Sequence, residues 1–166
     1  MKKKISVLIG FFITIMVFRY APHLPNFTPV LAITFYGTII FGRNCLMYMI
    51  LAYALSDLFI GFHNQLFWTW GSLFLIGYIS PLLKGLSRRS VGVVVSSLVF
   101  FILTNLGVFL SGYYGYTFDS LIICYTLAIP FYTNTIISTI MFSVFIEFFV
   151  FSKFFNFIPI SKNKIN

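Results

Sequence analysis

The sequence predicts an all-α membrane protein, a bundle of six transmembrane helices that forms one domain over residues 1–166. The prediction rests on three observations: an apolar composition, long uncharged runs and the placement of the basic residues. The chain is 60% hydrophobic and 8% charged, whereas a soluble domain needs roughly a quarter of its residues charged. Uncharged runs over 64–83, 90–118 and 120–146 reach the roughly 20 residues that cross a bilayer.

Proline, glycine and charged residues divide the chain into six apolar segments. Met1–Lys4 with the apolar run behind it resembles a secretory signal, but no small-x-small cleavage site follows, so we expect a retained first helix. Pro130 leaves two interpretations of the last segment: an outer lid over 111–129 followed by a helix, which we favour, or one long kinked helix. The expected spans are 5–21, 28–42, 45–61, 67–83, 90–110 and 130–151.

The basic residues predict the orientation of this bundle. Lys and Arg concentrate in cytoplasmic loops of membrane proteins. With six spans and both termini cytoplasmic, ten of the eleven basic residues lie inside and only Arg19 lies outside. We therefore expect a multi-pass protein of a bacterial cytoplasmic (inner) membrane.

Several function classes fit the sequence poorly. The net charge of +8 is split into short clusters between apolar runs, so no nucleic-acid partner is expected. Cys45 and Cys124 have no CxxC or CxxH spacing, and His23, His63 and Cys124 lie at unrelated spacings, so neither a metal nor a cofactor is expected. Hydrolase and nucleotide-binding motifs are missing as well, and we expect no enzyme.

The polar residues suggest a binding site on the outer face. The stretch Ser56–Gln65 places a carboxylate, an imidazole and two amides at the end of an apolar span. Polar groups at membrane depth are costly unless they are paired or line a cavity. Asp57 either contacts a solute or pairs with Arg19, the only basic residue predicted on its side. The candidate solute contacts are Asp57, His63, Asn105, Asn134, His23 and Asn26.

The first span carries a stripe of small residues, Ser6, Gly10 and Thr14, spaced by four. Such a stripe lets another helix approach closely. It predicts either a docking face for a partner or ordinary packing inside the bundle.

Four blocks of the sequence stand out: Pro25–Val30, Ser56–His63, Phe100–Val108 and Cys124–Thr135. They resemble the signature segments of an uncharacterised bacterial six-helix membrane family. That family is similar to the substrate-binding S components of energy-coupling-factor vitamin transporters. The resemblance implies an S-component-like bundle that captures a vitamin-like solute under its outer loops and docks its first helix on a transmembrane coupling subunit with ATPases.

The leading hypothesis is therefore membrane uptake of a vitamin-like or other micronutrient solute, with the lipid bilayer as surroundings. Because the chain has no nucleotide-binding motif, ATP-driven uptake would need the partner subunits, and a solitary transporter would need an ion gradient. One alternative is a membrane accessory or assembly protein whose outer polar groups only join helices. The third is a membrane enzyme with Asp57 and His63 as an acid–base pair.

Overall fold

A computed structural model describes residues 2–151, with side chains from residue 9 onward. The described residues form six α-helices and no strand, which confirms the all-α prediction. One-turn 3₁₀-helices at Arg43–Cys45 and Ser80–Leu82 lie between helices, and a π-helical turn, Glu147–Phe151, extends the last helix. The helices are α1 Lys2–Tyr20, α2 Val30–Phe41, α3 Leu46–Ile60, α4 Leu66–Ile79, α5 Leu86–Leu110 and α6 Phe118–Ile146.

Helix α6 corrects the expected boundary in the last third of the chain. The lid predicted over 111–129 is not a separate segment, because α6 starts at Phe118 and continues through Pro130 to Ile146. Thr117 caps its start, since the Thr117 hydroxyl accepts a hydrogen bond from Ser120 N at 3.1 Å. Proline inside a helix removes one backbone donor, and contacts with neighbouring helices can offset this loss. The loop between α5 and α6 is therefore only 111–117.

Helix α2 lies at the centre of the bundle. It packs against α3, α4, α5 and α6, and two thirds of its side chains are buried. Phe35 and Tyr36 are both 1% exposed and stack edge to face with ring centroids 5.1 Å apart. At only 12 residues, α2 is about 18 Å long. A short helix surrounded by longer ones is thus the core of the fold.

Helix α1 lies at the edge of the bundle and packs chiefly against α3. Two aromatic contacts add to this packing: Phe18 meets Phe142 of α6 edge to face at 5.2 Å, and Phe11 meets Phe41 of α2 at 6.1 Å. Ile9, Ile13 and Val17 of α1 are more than half exposed.

Because successive helices run in alternating directions, the loops between them lie at two ends of the bundle. One end carries the loops 21–29, 61–65 and 111–117, and we call it the cavity end. The opposite end, which we call the basic end, carries the turns around residues 42–45 and 80–85 and the described basic residues other than Arg19. Gly61 ends α3 with φ +111° and donates to Asp57 O at 2.9 Å, so Asp57 lies in the last turn of α3 at the cavity end.

The outer surface of the helices is largely apolar. Leu, Ile, Val and Phe side chains of every helix are exposed around the bundle. Three helical segments are long and apolar enough to cross a membrane: Arg43–Ile60, Leu86–Leu110 and Phe118–Phe151. The apolar segments Ile9–Tyr20, Val30–Phe41 and Leu66–Leu82 are shorter. That these six segments cross a bilayer stays a prediction.

We predict that Gly92→Ala destabilises the bundle where α5 packs on α2. A Cβ atom at this position would lie 2.4 Å from Leu83 Cδ1 and 2.9 Å from Phe35 Cζ. Because Phe35 is buried and cannot move freely, the free energy of unfolding should fall by about 1 to 3 kcal/mol. Denaturant titration in detergent micelles measures it.

Gly71→Ala in α4 is the matched control for this substitution. A Cβ atom there meets no described atom within 4 Å. Removing a helical glycine should then raise the free energy of unfolding by up to about 1 kcal/mol. Equal effects of the two substitutions would contradict the close packing of α5 on α2.

Candidate functional site

A cavity of about 580 Å³ lies among the helices at the cavity end. Its walls come mainly from the second half of α5 and the first half of α6, with contributions from the ends of α1, α3 and α4. The polar side chains that line it are Arg19, His23, Asn26, Thr28, His63, Gln65, Thr69, Thr104, Asn105 and Thr135. The aromatic side chains that line it are Tyr53, Phe100, Phe101, Tyr114, Phe131 and Tyr132.

An ion pair between Arg19 and Asp57 lies next to this cavity. Arg19 Nη1 is 2.5 Å from Asp57 Oδ1 and also donates to Ser56 Oγ. Trp70 Nε1 donates to Asp57 Oδ2 at 2.8 Å, and the guanidinium carbon of Arg19 lies 4.4 Å from the centre of the Tyr53 ring. The carboxylate is fully buried, whereas 13% of the Arg19 side chain is exposed. The pair thus joins α1, α3 and α4 and leaves Arg19 as the member that lines the cavity.

Four of the six predicted solute contacts line the cavity: His23, Asn26, His63 and Asn105. The backbone N–H of Gln65 donates to His63 Nδ1 at 3.2 Å, which orients that ring in the loop after α3. Asn105 Nδ2 donates to Phe101 O at 2.8 Å within α5. The structure therefore brings residues from three distant segments of the sequence to one surface.

The other two predicted contacts have different surroundings. Asp57 is held by Arg19 and Trp70, and it is not one of the described residues that line the cavity. Asn134 also lies outside the lining, and its Nδ2 donates to Pro25 O at 2.9 Å. Asn134 thus attaches α6 to the loop between α1 and α2. Both side chains therefore hold structural elements next to the cavity.

Gln65 and Tyr53 are two of the lining residues that were not among the predicted contacts. Gln65 Oε1 is buried at the lining without a hydrogen-bond partner among the described atoms. Tyr53 lines the cavity beneath Arg19. The position of Gln65 two residues after His63 was a usable signal, whereas Tyr53 is one of many aromatic residues in apolar spans and carries no distinguishing signal.

The two tryptophans of α4 pack inside the bundle. Trp68 and Trp70 are typical of a membrane interface by sequence. In the structure Trp70 binds Asp57, and Trp68 lies so close to Gly107 that a Cβ atom there would come within 2.3 Å of the indole ring. Gly107 therefore lets α4 and α5 approach closely beside the cavity.

A second ion pair lies at the basic end. Arg89 donates to Glu147 through Nε at 2.6 Å and through Nη2 at 2.9 Å, and the Tyr36 hydroxyl donates to Glu147 Oε1 at 2.9 Å. The expected spans place Arg89 in the loop 84–89. In the structure Arg89 lies in α5, and its side chain is only 5% exposed. The partners are 58 residues apart, so no local spacing indicates the pair. It joins α5, α6 and α2.

No metal centre is evident in the part of the chain that the structure describes, because no group of three or more His, Cys, Asp or Glu side chains comes together there. His23, His63 and Cys124 all line the cavity without forming such a group.

Ile13 and Val17 are exposed beside Gly10 and Thr14 of the predicted docking stripe, and we call this side of α1 its open face. The side chain of Ser6 is outside the described residues. Gly10 is exposed, and a Cβ atom there would meet no described atom within 4 Å. Thr14 Oγ1 donates to Gly10 O at 2.8 Å and so turns back onto its own helix. Gly10 therefore does not pack inside the bundle, and partner docking stays a prediction.

We predict that Asp57→Ala destabilises the protein by about 3 to 5 kcal/mol, because it leaves the largely buried charge of Arg19 without its partner. Urea or guanidinium titration of the purified protein in micelles measures the change. The double variant Arg19→Met/Asp57→Leu should recover part of the loss, since it leaves no charge there.

Asp119→Ala is the control for this prediction, because Asp119 is an exposed acidic residue in the first turn of α6 at the same end. It should cost less than about 1 kcal/mol. If the Asp57→Ala variant were as stable as this control, the ion pair would not hold α1 to α3.

Comparison with known proteins identifies a family. No curated protein and no solved structure matches the chain. The profile of a family of unknown function (DUF6580) matches residues 1–157. Since the match covers nearly the whole sequence, the chain belongs to the family of unknown function DUF6580.

Proposed function

We propose that this protein is a membrane uptake protein that binds a small vitamin-like or other micronutrient solute in the cavity at the cavity end, as S components do. The cavity itself carries the proposal. Its volume of about 580 Å³ lies within the range of roughly 300 to 1,000 Å³ that small-molecule sites occupy. Aromatic and aliphatic walls with a few fixed polar groups are typical of such sites.

Placement in a bacterial cytoplasmic membrane is supported by the apolar outer surface and by the three helical segments long enough to span a bilayer. The excess of basic residues at the basic end favours a cytoplasmic position for that end. In this orientation the cavity end faces the exterior, where a nutrient would be captured.

The open face of α1 supports docking of a partner. Gly10 and Thr14 leave room for the close approach of another transmembrane helix. A coupling subunit with ATPases is the partner that we propose, and the alternative energy source is an ion gradient.

A second candidate function is a membrane accessory or assembly protein. One observation favours it: Asp57 and Asn134, two of the six predicted solute contacts, hold helices and a loop together. Under this function the cavity would bind no nutrient.

We predict that Ala128→Leu abolishes solute binding. Ala128 is 6% exposed on α6 and lines the cavity, so a leucine there occupies the space of a solute. The measurement is the rise in unfolding temperature of the purified protein with each compound of a vitamin panel. At least one compound should raise the unfolding temperature of the unmodified protein and leave that of the variant unchanged.

Ile129→Leu is the matched control, because Ile129 is the next residue of α6, is 53% exposed and does not line the cavity. This variant should respond to compounds as the unmodified protein does. A panel that shifts none of the three proteins would favour the accessory function.

We predict that the cavity end is extracellular. In a chain with Cys45→Ser and Cys124→Ser, a membrane-impermeant maleimide should label an Asn64→Cys variant in intact cells. It should label an Arg88→Cys variant only after the membrane is broken, because Arg88 is exposed at the opposite end. The reverse labelling pattern would invert the orientation, and the cavity would then open to the cytoplasm.

A further inference from the structure

Arg19 has hydrogen-bonding capacity that the bundle does not use. Its polar contacts with Asp57 and Ser56 go through Nη1, and the described residues give Nε and Nη2 no hydrogen-bond partner. The side chain of Arg19 is 13% exposed, and Arg19 lines the cavity. A guanidinium has five N–H donors, of which Nε and Nη2 carry three.

The unused donors have the shape that a carboxylate fits. Nε–H and one N–H of Nη2 point in the same direction and form a fork that matches the two oxygens of a planar carboxylate. In the same protein Arg89 binds Glu147 through this edge, with Nε and Nη2 at 2.6 and 2.9 Å from the two oxygens. Arg19 has that edge available for a solute.

The charges around the cavity favour an acidic solute. The ionisable side chains of the lining include Arg19, His23 and His63, and among the described residues that line it none is Asp or Glu. The nearby carboxylate of Asp57 is fully buried and outside the lining. A solute in the cavity can therefore contact the guanidinium of Arg19 directly. The carboxylate of Asp57 is paired with that guanidinium and does not line the cavity.

Two neighbouring aromatic rings line the same cavity. The rings of Phe101 and Tyr132 have centroids 4.7 Å apart and lie at 38° to each other. Both rings line the cavity, as does the Tyr53 ring beneath the guanidinium. Aromatic walls of this kind accept the face of a planar ring by stacking.

We propose that the solute of this cavity is a ring-containing carboxylic acid in its anionic form. Its carboxylate binds Nε and Nη2 of Arg19, and its ring lies against Phe101 and Tyr132. Asp57 is a positioning residue, because it fixes Nη1 and so directs the free edge of the guanidinium. This inference rests on the proposed solute-binding function and names its substrate class.

The test compares acids with neutral amides of the same ring on the purified full-length protein. Suitable pairs are nicotinic acid with nicotinamide, 4-aminobenzoic acid with 4-aminobenzamide, and biotin with biotinamide, measured by isothermal titration beside the vitamin panel. The acid of at least one pair should bind at least about tenfold more tightly than its amide, because a bidentate charge-assisted contact is lost in the amide.

The double variant Arg19→Gln/Asp57→Asn removes both charges together and so avoids an unpaired buried ion. It should bring the ratio of the affinity for the acid to that for the amide to about one. A glutamine side chain has no positive charge and cannot offer the two parallel N–H donors of a guanidinium edge. The double variant Arg89→Gln/Glu147→Gln makes the corresponding change to the ion pair at the basic end. It should leave the ratio unchanged.

The outcomes separate this inference from the proposed function. If amides or other neutral compounds bind as tightly as the acids, the carboxylate is not recognised and only solute binding stands. An unchanged ratio in the Arg19→Gln/Asp57→Asn variant also overturns the role of Arg19. If no compound of any charge binds, the solute-binding function and this inference fail together.

Discussion

The ion pair of Arg19 and Asp57 is the interaction on which the cavity end depends. Apolar surroundings make an isolated charge very costly, so each residue needs the other. Arg19 lies in the last turn of α1, Asp57 lies in the last turn of α3, and Trp70 of α4 completes the contact. Pairing the two charges therefore joins three helices. The same contact occupies Nη1 of Arg19, a residue that lines the cavity. Structure and candidate chemistry therefore meet in one pair of side chains.

The pair of Arg89 and Glu147 gives a physical comparison at the basic end. There the guanidinium binds the carboxylate through both nitrogens of one edge, and Tyr36 also donates to the carboxylate. At the cavity end only one nitrogen of Arg19 serves the pair. Both pairs join helices around the short central α2. They differ in how many N–H donors of the arginine remain without a partner. Donors that remain available beside a cavity can bind a ligand, whereas donors that are fully engaged can only stabilise the fold.

Much of the fold and part of the site could be predicted from the sequence. Apolar runs and helix-breaking residues placed six helices, and the scarcity of charges indicated that Arg19 could meet Asp57. His23, Asn26, His63 and Asn105 were predicted as solute contacts from their polar chemistry and their expected position at the outer face, and they line the cavity. Pro130 misled the prediction of α6, because local rules do not include the contacts that hold this helix, such as the Tyr125 hydroxyl donating to Ile102 O at 2.8 Å. Arg89 was assigned to a loop because its partner is far away in the sequence.

The sequence by itself determined the all-α fold class. Composition, hydropathy and the order of helix-breaking residues are properties of the chain that do not depend on contacts between helices. It also limited the candidate solute contacts to a few polar residues at the cavity end. Only the tertiary structure decided which of these residues line the cavity and which are engaged in contacts with other helices and loops. Asp57 and His63 lie six residues apart, yet one is buried in an ion pair and the other lines the cavity. The reason is that burial and pairing depend on neighbours from other helices, and these are set by packing around α2.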